Sequence, residues 1–263
     1  MFVAMQETLS SEFNRIDSVA HFIEGTVLLL DKPLGWTSFD VVNRIKGYVR
    51  KNITIPPNAQ GDIPRFKIGH AGTLDPLATG LLVVCTGKFT KKIDLFQGGQ
   101  KEYTGVIRFG QTTPSFDLET EPEGDFSVAH LNLDIIRAQA LGMEGEQWQK
   151  PPIFSAKQVD GKRAYASARK GKHVEIPPVQ IVVDRFEIQQ FQERDASFLI
   201  KCSKGTYIRS LANDLGEKLG SGSHLIELRR TVSEPFRIEQ AMSLNVLMER
   251  LDLVCGVNGN ATD

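Results

Sequence analysis

Two short runs without a polar residue, VLLL at 27–30 and LLVVC at 81–85, constrain the fold most. A strand that alternates polar and apolar residues can leave one face in water, whereas an uninterrupted run must be covered on both faces. Neither run approaches the roughly 18–20 residues that a bilayer span needs. The chain therefore has to build a sheet with cover on each side. Helical stripes that can supply the cover are present. Phe39, Val42, Ile45 and Val49 recur at helical spacing over 38–50, behind Thr37, a good N-cap with Asp40 three residues on. Ile208, Leu211, Ala212, Leu215 and Leu219 form a second stripe, stopped by Gly220. Leu244, Leu247, Met248 and Leu251 form a third over 243–251.

Shorter helices are expected over 88–97 and 131–141. In KEYTGVIRFG, 101–110, Tyr103, Gly105, Ile107 and Phe109 face one way and Thr104, Val106 and Arg108 the other, the pattern of a half-buried strand. QIVVDRFEIQQF (180–191) and SFLIKCS (197–203) read as two more strands, joined as a hairpin. Strands and helices interleave, and one neighbouring strand pair is antiparallel. The expected fold class is α+β, a mixed, largely antiparallel central sheet flanked by helices. Residues 1–23 are expected to be a loosely ordered arm, 24–251 one domain and 252–263 a disordered tail. The segment NITIPPNAQGDIP, 52–64, is a Pro/Gly/Asn loop. The N-terminal stretch lacks a basic region followed by an apolar core, so no secretory leader is expected and the cytoplasm is the expected location.

Net charge is −1. That counts against a polyanionic partner, because phosphate binding usually leaves a basic footprint. The average hides an asymmetry. Asp117, Glu119, Glu121, Glu123 and Asp125 crowd 117–125, while 157–173 carries Lys157, Lys162, Arg163, Arg169, Lys170, Lys172 and His173. Three widely spaced cysteines do not make a disulfide framework, and Cys85 and Cys202 sit in apolar strand patterns as core residues. The histidines are scattered singly, so no metal site is expected.

The stretch GHAGTLDPLATG, 69–80, holds a single carboxylate, Asp75, among small residues. Glycines at 69, 72 and 80 permit close approach of a ligand or positive φ. Pro76 biases Asp75 toward an extended conformation. Two local roles are open to Asp75: a carboxylate presented for chemistry, or the cap of the segment that follows. Farther on, KGTYIRS places Tyr207 and Arg209 at the mouth of a helix, off its apolar stripe. An arginine there either holds a carboxylate ionised or lies on the surface.

GHAGTLDPLATG, KEYTG, SAKQVDGKRAYASARKG and KGTYIRSLANDLGEKLG, in this order, resemble the tRNA pseudouridine-55 synthase family. VLLLDKPLGWTSFDVV upstream and HLIELRRTVSEPF downstream match as well, so the resemblance covers roughly residues 25–245. It implies a pseudouridine-synthase fold and a cofactor-independent isomerase. Its substrate would be the T-loop uridine of tRNA, flipped out of the loop before the glycosidic bond is cut and the base rejoined through C5. A tRNA-binding or tRNA-folding protein is the alternative from a different class. A carboxylate hydrolase is a third, without an identifiable acid–base partner.

On this resemblance Asp75 is the catalytic aspartate, Tyr103 the tyrosine that packs on the target base, and Arg209 the arginine that pairs with the catalytic carboxylate. Tyr207 and Leu228 line the uracil pocket. His70 inserts into the T-loop, Gly72 and Thr73 belong to the substrate-binding loop, and Lys32 meets RNA phosphate. Lys92, Lys157, Lys162, Arg163 and Arg169 are the candidate basic track along the RNA backbone. In TTPSFDLETE, Pro114 and Phe116 stand where polar residues are common in the family, while Asp117 remains. About 33 residues follow Arg230, fewer than a complete PUA-type C-terminal domain needs, so RNA affinity is expected to rest on the catalytic domain. The expected partner is the tRNA T-arm stem-loop, with no membrane and a monomeric protein.

Overall fold

The computed structural model describes residues 13–57, 61–152, 158–159, 162–163 and 176–257. These fall into two compact units, one formed by residues up to Gly99 together with those from Arg230 onward, the other by Gln100–Arg229.

In the first unit, α1 (Val19–Glu24) leads to β1 (Val27–Lys32), α2 (Ser38–Asn52), β2 (Ile68–Ala71) and β3 (Ala78–Thr86). A 3-10 turn (Gly87–Lys92) and α3 (Ile93–Gln97) follow. β1 and β3 pair antiparallel, Leu28 opposite Val84 and Leu30 opposite Leu82, and β2 pairs antiparallel with β3 on its other side, His70 opposite Val84. The two apolar runs are explained by what covers each face. Leu28, Leu30, Leu82 and Val84 pack under Phe22 of α1 and Ile45 of α2. Val27, Leu29, Leu81 and Val83 pack against Phe89, Phe96 and Phe236. α2 carries the capping box expected from Thr37 and Asp40, each side chain bonded to the other's main-chain N–H. Its stripe is shifted by one detail. Val41 joins Val42, Ile45 and Val49 in the core, while Phe39 is 60% exposed, on the other side of the helix from the stripe. Part of the stretch expected to be a loose arm is α1, capped by Ser18 and pinned by the fully buried Phe22.

In the second unit, β4 (Lys101–Phe109), α4 (Leu133–Leu141) and β5 (Gly145–Gln149) precede two short strands, β6 (Gln158–Val159) and β7 (Lys162–Arg163). Then come β8 (Val179–Gln192), β9 (Asp195–Cys202) and α5 (Ile208–Lys218). β9 lies antiparallel between β4 and β8, and β5 pairs antiparallel with β8. The hairpin and the alternation of β4 are as expected, with Tyr103, Ile107 and Phe109 buried. Strand β10 (Ser223–Ser233) gives its first residues to this unit and its last four to the first unit. The first unit is completed by β11 (Phe236–Arg237), a second 3-10 turn (Ile238–Gln240), β12 (Met242–Ser243) and α6 (Leu244–Cys255). β12 runs parallel to β1, one parallel pair in a largely antiparallel α+β arrangement. No helix of the described residues is long and apolar enough to cross a membrane. Cys85 and Cys202 are fully buried, and burial pushes both thiols up to about 12. The last six residues of the expected tail lie outside the described residues.

Candidate active site

Asp75 sits in the connection between β2 and β3, at the head of a turn whose Ala78 N–H donates to the Asp75 carbonyl at 3.1 Å. The next element is a strand, so no helix follows for Asp75 to cap. The connection is tied down residue by residue, all within the first unit. Ser38, the first residue of α2 and 1% exposed, accepts from the Leu74 N–H at 2.8 Å and donates to the Leu74 carbonyl at 3.3 Å. Arg230, also buried, donates from Nη2 to the Gly72 carbonyl at 3.1 Å and from Nε to the Leu81 carbonyl at 2.7 Å. The Gly35 N–H donates to the Pro76 carbonyl at 2.9 Å. Gly72 has φ +93°, a conformation costly for any residue with a Cβ. Gly80, at φ +99°, lets the Arg230 main chain pass: a Cβ there would stand 2.3 Å from the Arg230 carbonyl oxygen.

Lys32 is 0% exposed. Its ammonium donates to the carbonyls of Pro33 at 2.9 Å and Pro76 at 3.4 Å, and closely to that of Trp36. This corrects the expectation that Lys32 meets RNA phosphate, since an ammonium enclosed by carbonyls frames the Asp75 loop instead. Burial brings its pKa down to about 8, with the Asp75 charge pulling the other way. His70 is half-buried on β2. Burial, and then the Arg230 charge, hold its imidazole below the ordinary value against an opposing hydrogen bond that the ring donates to the Gly72 main chain, so it is neutral at pH 7. Thr73 is exposed beside it. Lys92 is half-exposed, its ammonium 5.1 Å from the centre of the Phe89 ring.

In the second unit Arg209, in the first turn of α5, is buried with Asp117. Nη1 stands 3.5 Å from the Asp117 carboxylate and donates to the Ser115 carbonyl at 3.2 Å. Asp117 Oδ1 also accepts from the Glu119 N–H at 3.0 Å. Arg209 therefore does not lie on the surface, and the acidic loop supplies a partner for it that sequence reasoning left unassigned. Tyr103 is buried on β4, opposite Ile200 of β9. Tyr207 is half-buried as the N-cap of α5. Buried Gln149 fixes its backbone, accepting from the Tyr207 N–H at 2.8 Å and donating to its carbonyl at 3.0 Å. Leu228 is half-buried on β10. Of the candidate basic track, Lys157 and Arg169 lie outside the described residues, and Lys162 and Arg163 form β7, paired with β6.

Ser38, Arg230 and Gln149 are functional neighbours that sequence reasoning missed. Each is an ordinary polar residue in a helix or strand, and its partner is far away in sequence.

Comparison with known proteins adds independent findings. A family model described as TruB family pseudouridylate synthase (N terminal domain) matches residues 62–208, and one described as tRNA pseudouridylate synthase B C-terminal domain matches 209–254. The tRNA pseudouridine synthase B of Flavobacterium johnsoniae is 48% identical over 230 residues, covering 88% of this chain and 97% of that protein. That of Chloroherpeton thalassium is 47% identical, covering 87% and 91%. Among solved structures, a chain of a Cbf5-Nop10-Gar1 complex superposes with a TM-score of 0.64 at 31% identity, covering 89% of this chain and 56% of that one. A chain of an H/ACA RNP bound to a substrate RNA containing 2'-deoxyuridine gives 0.64 at 26% identity, covering 92% and 58%. This chain thus spans a little over half the length of each of those two.

Proposed function

The chain belongs to the TruB family of pseudouridylate synthases, and from that premise we propose how it turns uridine into pseudouridine in tRNA. The observation that carries the reading is near-full-length identity of 44–48% to proteins named tRNA pseudouridine synthase B. The reaction breaks the N1–C1′ bond and forms a C5–C1′ bond. C5 loses its proton and N1 gains one, so atoms and electrons balance without a co-reactant.

Asp75 is the chemical group. A carboxylate near the sugar–base junction can attack C1′ or C6, or remove a ribose proton to give a glycal. The ties on Leu74, Gly72 and Pro76 support this role, because a reacting group must be held within a fraction of an ångström of its productive position. Tyr103 packs on the target base. A phenol is a poor base at neutral pH, so stacking is the larger part of its work. Arg209 is the cation of the reaction, held from its own side by Asp117 and the Ser115 carbonyl. Tyr207 and Leu228 give an apolar wall for the detached base. His70, neutral at pH 7, supports the RNA where the uridine leaves its stack. The substrate segment is the T-arm stem-loop, the target its uridine at position 55, and the protein works as a monomer in the cytoplasm.

The test is turnover of a T-arm stem-loop and of whole tRNA, with EDTA present, followed by nucleoside chromatography. Pseudouridine from both supports the reading. Pseudouridine from whole tRNA alone removes the stem-loop as a sufficient substrate. Tight binding with no product from either RNA supports a tRNA-folding protein instead.

A further inference from the structure

The C-terminal half of α2 and the segment that follows it to Lys67 have no part in the chemistry above, yet they are strongly basic. Between Asn43 and Lys67 stand Arg44, Lys46, Arg50, Lys51, Arg65 and Lys67 against one acid, Asp62, in a protein of net charge −1. All but Lys46 are exposed, and Lys46 is half-exposed. The same segment bounds a groove of about 690 Å³, with Lys46, Arg50 and Arg65 among its lining and Ile53, Ile55 and Phe66 supplying apolar surface. The lining is mainly apolar, with those three cations along it. That combination fits a nucleic-acid strand, with phosphates on the guanidinium and ammonium groups and a sugar or base edge on the apolar part.

We propose that this groove is a second RNA-docking surface, which holds the phosphodiester backbone of the substrate tRNA away from the reacting nucleotide. The proposal rests on the functional reading above, and the fold supplies the ruler. α2 starts at the Asp75 loop, where Ser38 bonds Leu74. At 1.5 Å per residue, Lys46 and Arg50 stand about 12 and 18 Å farther along the helix. A stacked strand rising 3.4 Å per nucleotide covers that in about four to five steps. The docked backbone therefore lies a few base steps beyond the flipped uridine, in the body of the RNA. The segment runs from Lys67 directly into β2, which carries His70.

The test uses the full-length protein with Lys46→Gln, Arg50→Gln and Arg65→Gln combined, and whole tRNA as probe. Affinity is measured between about 50 and 200 mM salt, and turnover at each concentration. Losing three phosphate contacts should make the slope of log K against log salt shallower by about two to three. kcat/KM at moderate salt should fall about tenfold, carried by KM. The charge-retaining set Lys46→Arg, Arg50→Lys and Arg65→Lys should restore most of it. If the triple glutamine variant does not melt as the wild type does, Arg50→Gln alone replaces it, with a slope change of about one. An unchanged salt slope with unchanged KM overturns the proposal. So does a loss that the charge-retaining set shares. Wild-type protein that makes no pseudouridine from tRNA would instead sink the functional reading, so the two failures are distinguishable.

Discussion

Ser38 Oγ closes both main-chain groups of Leu74, the residue immediately before Asp75. Ser38→Ala leaves a buried N–H and carbonyl without that partner, a loss of about 1–3 kcal/mol. The melting temperature should drop by several degrees. Turnover should fall by more than stability explains, about ten- to a hundredfold in kcat, because the hydroxyl sets where Asp75 points. Thermal melting and single-turnover kinetics on one preparation check both, and full kcat in a destabilised variant would reduce Ser38 to a packing role.

Asp75→Asn keeps the size and main-chain geometry of the loop and removes the carboxylate. Product should be undetectable while tRNA affinity and melting stay close to wild type. Nucleoside chromatography beside a filter-binding titration is the measurement. Residual turnover near the wild-type rate would take Asp75 out of the chemistry.

How much of this was legible in the chain depends on how far each cause reaches. β1, β3 and the capping box of α2 are written in adjacent residues, and so are the alternation of β4 and the β8–β9 hairpin. β2 carries no such local signal, because Ile68–Ala71 is four residues long and includes a glycine and a histidine. The Asp75 motif itself was plain, and the family resemblance gave the role proposed for it. The ties that hold it were not plain, because Arg230 reaches Gly72 across 158 positions and Ser38 reaches Leu74 across 36. Lys32 shows the same limit from the other side: a lysine beside a proline turn reads as a surface cation until the fold encloses it.

Asp117 and Arg209 test a buried ion pair, 4% and 3% exposed. Asp117→Ala leaves the guanidinium without that carboxylate, and removing one partner of such a pair destabilises by about 3–5 kcal/mol. At 3.5 Å the contact is long, so the lower end is expected. Chemical denaturation measures it. A change under about 1 kcal/mol would mean that Asp117 contributes little to holding Arg209.

Gly80→Ala places a Cβ 2.3 Å from the Arg230 carbonyl oxygen, on a residue already at φ +99°. Main chain cannot yield there as a flexible side chain would. Arg230 should be displaced, and with it the bond to the Gly72 carbonyl. Stability should fall by several kcal/mol, at the severe end for single substitutions. A soluble variant melting within a few degrees of wild type would show that β10 can shift away at small cost.

Lys32 gives the pH dependence. Burial brings its folded pKa to about 8 from 10.5, so between those values the unfolded chain holds a proton that the folded one has shed. Stability from this group therefore rises with pH across about 8 to 10.5 and is flat below 8. Activity moves the opposite way. As pH passes about 8 the positive charge that acts on Asp75 is lost, along with one of the donors facing the Pro33, Trp36 and Pro76 carbonyls. Turnover should decline above pH 8 while the protein becomes no less stable. Lys32→Met should abolish both trends, lower kcat at pH 7 and leave the three carbonyls without their ammonium. Parallel pH series of melting and of single-turnover rate decide it. A wild-type rate that stays level to pH 9.5 would show that the Lys32 charge has no part in keeping Asp75 competent.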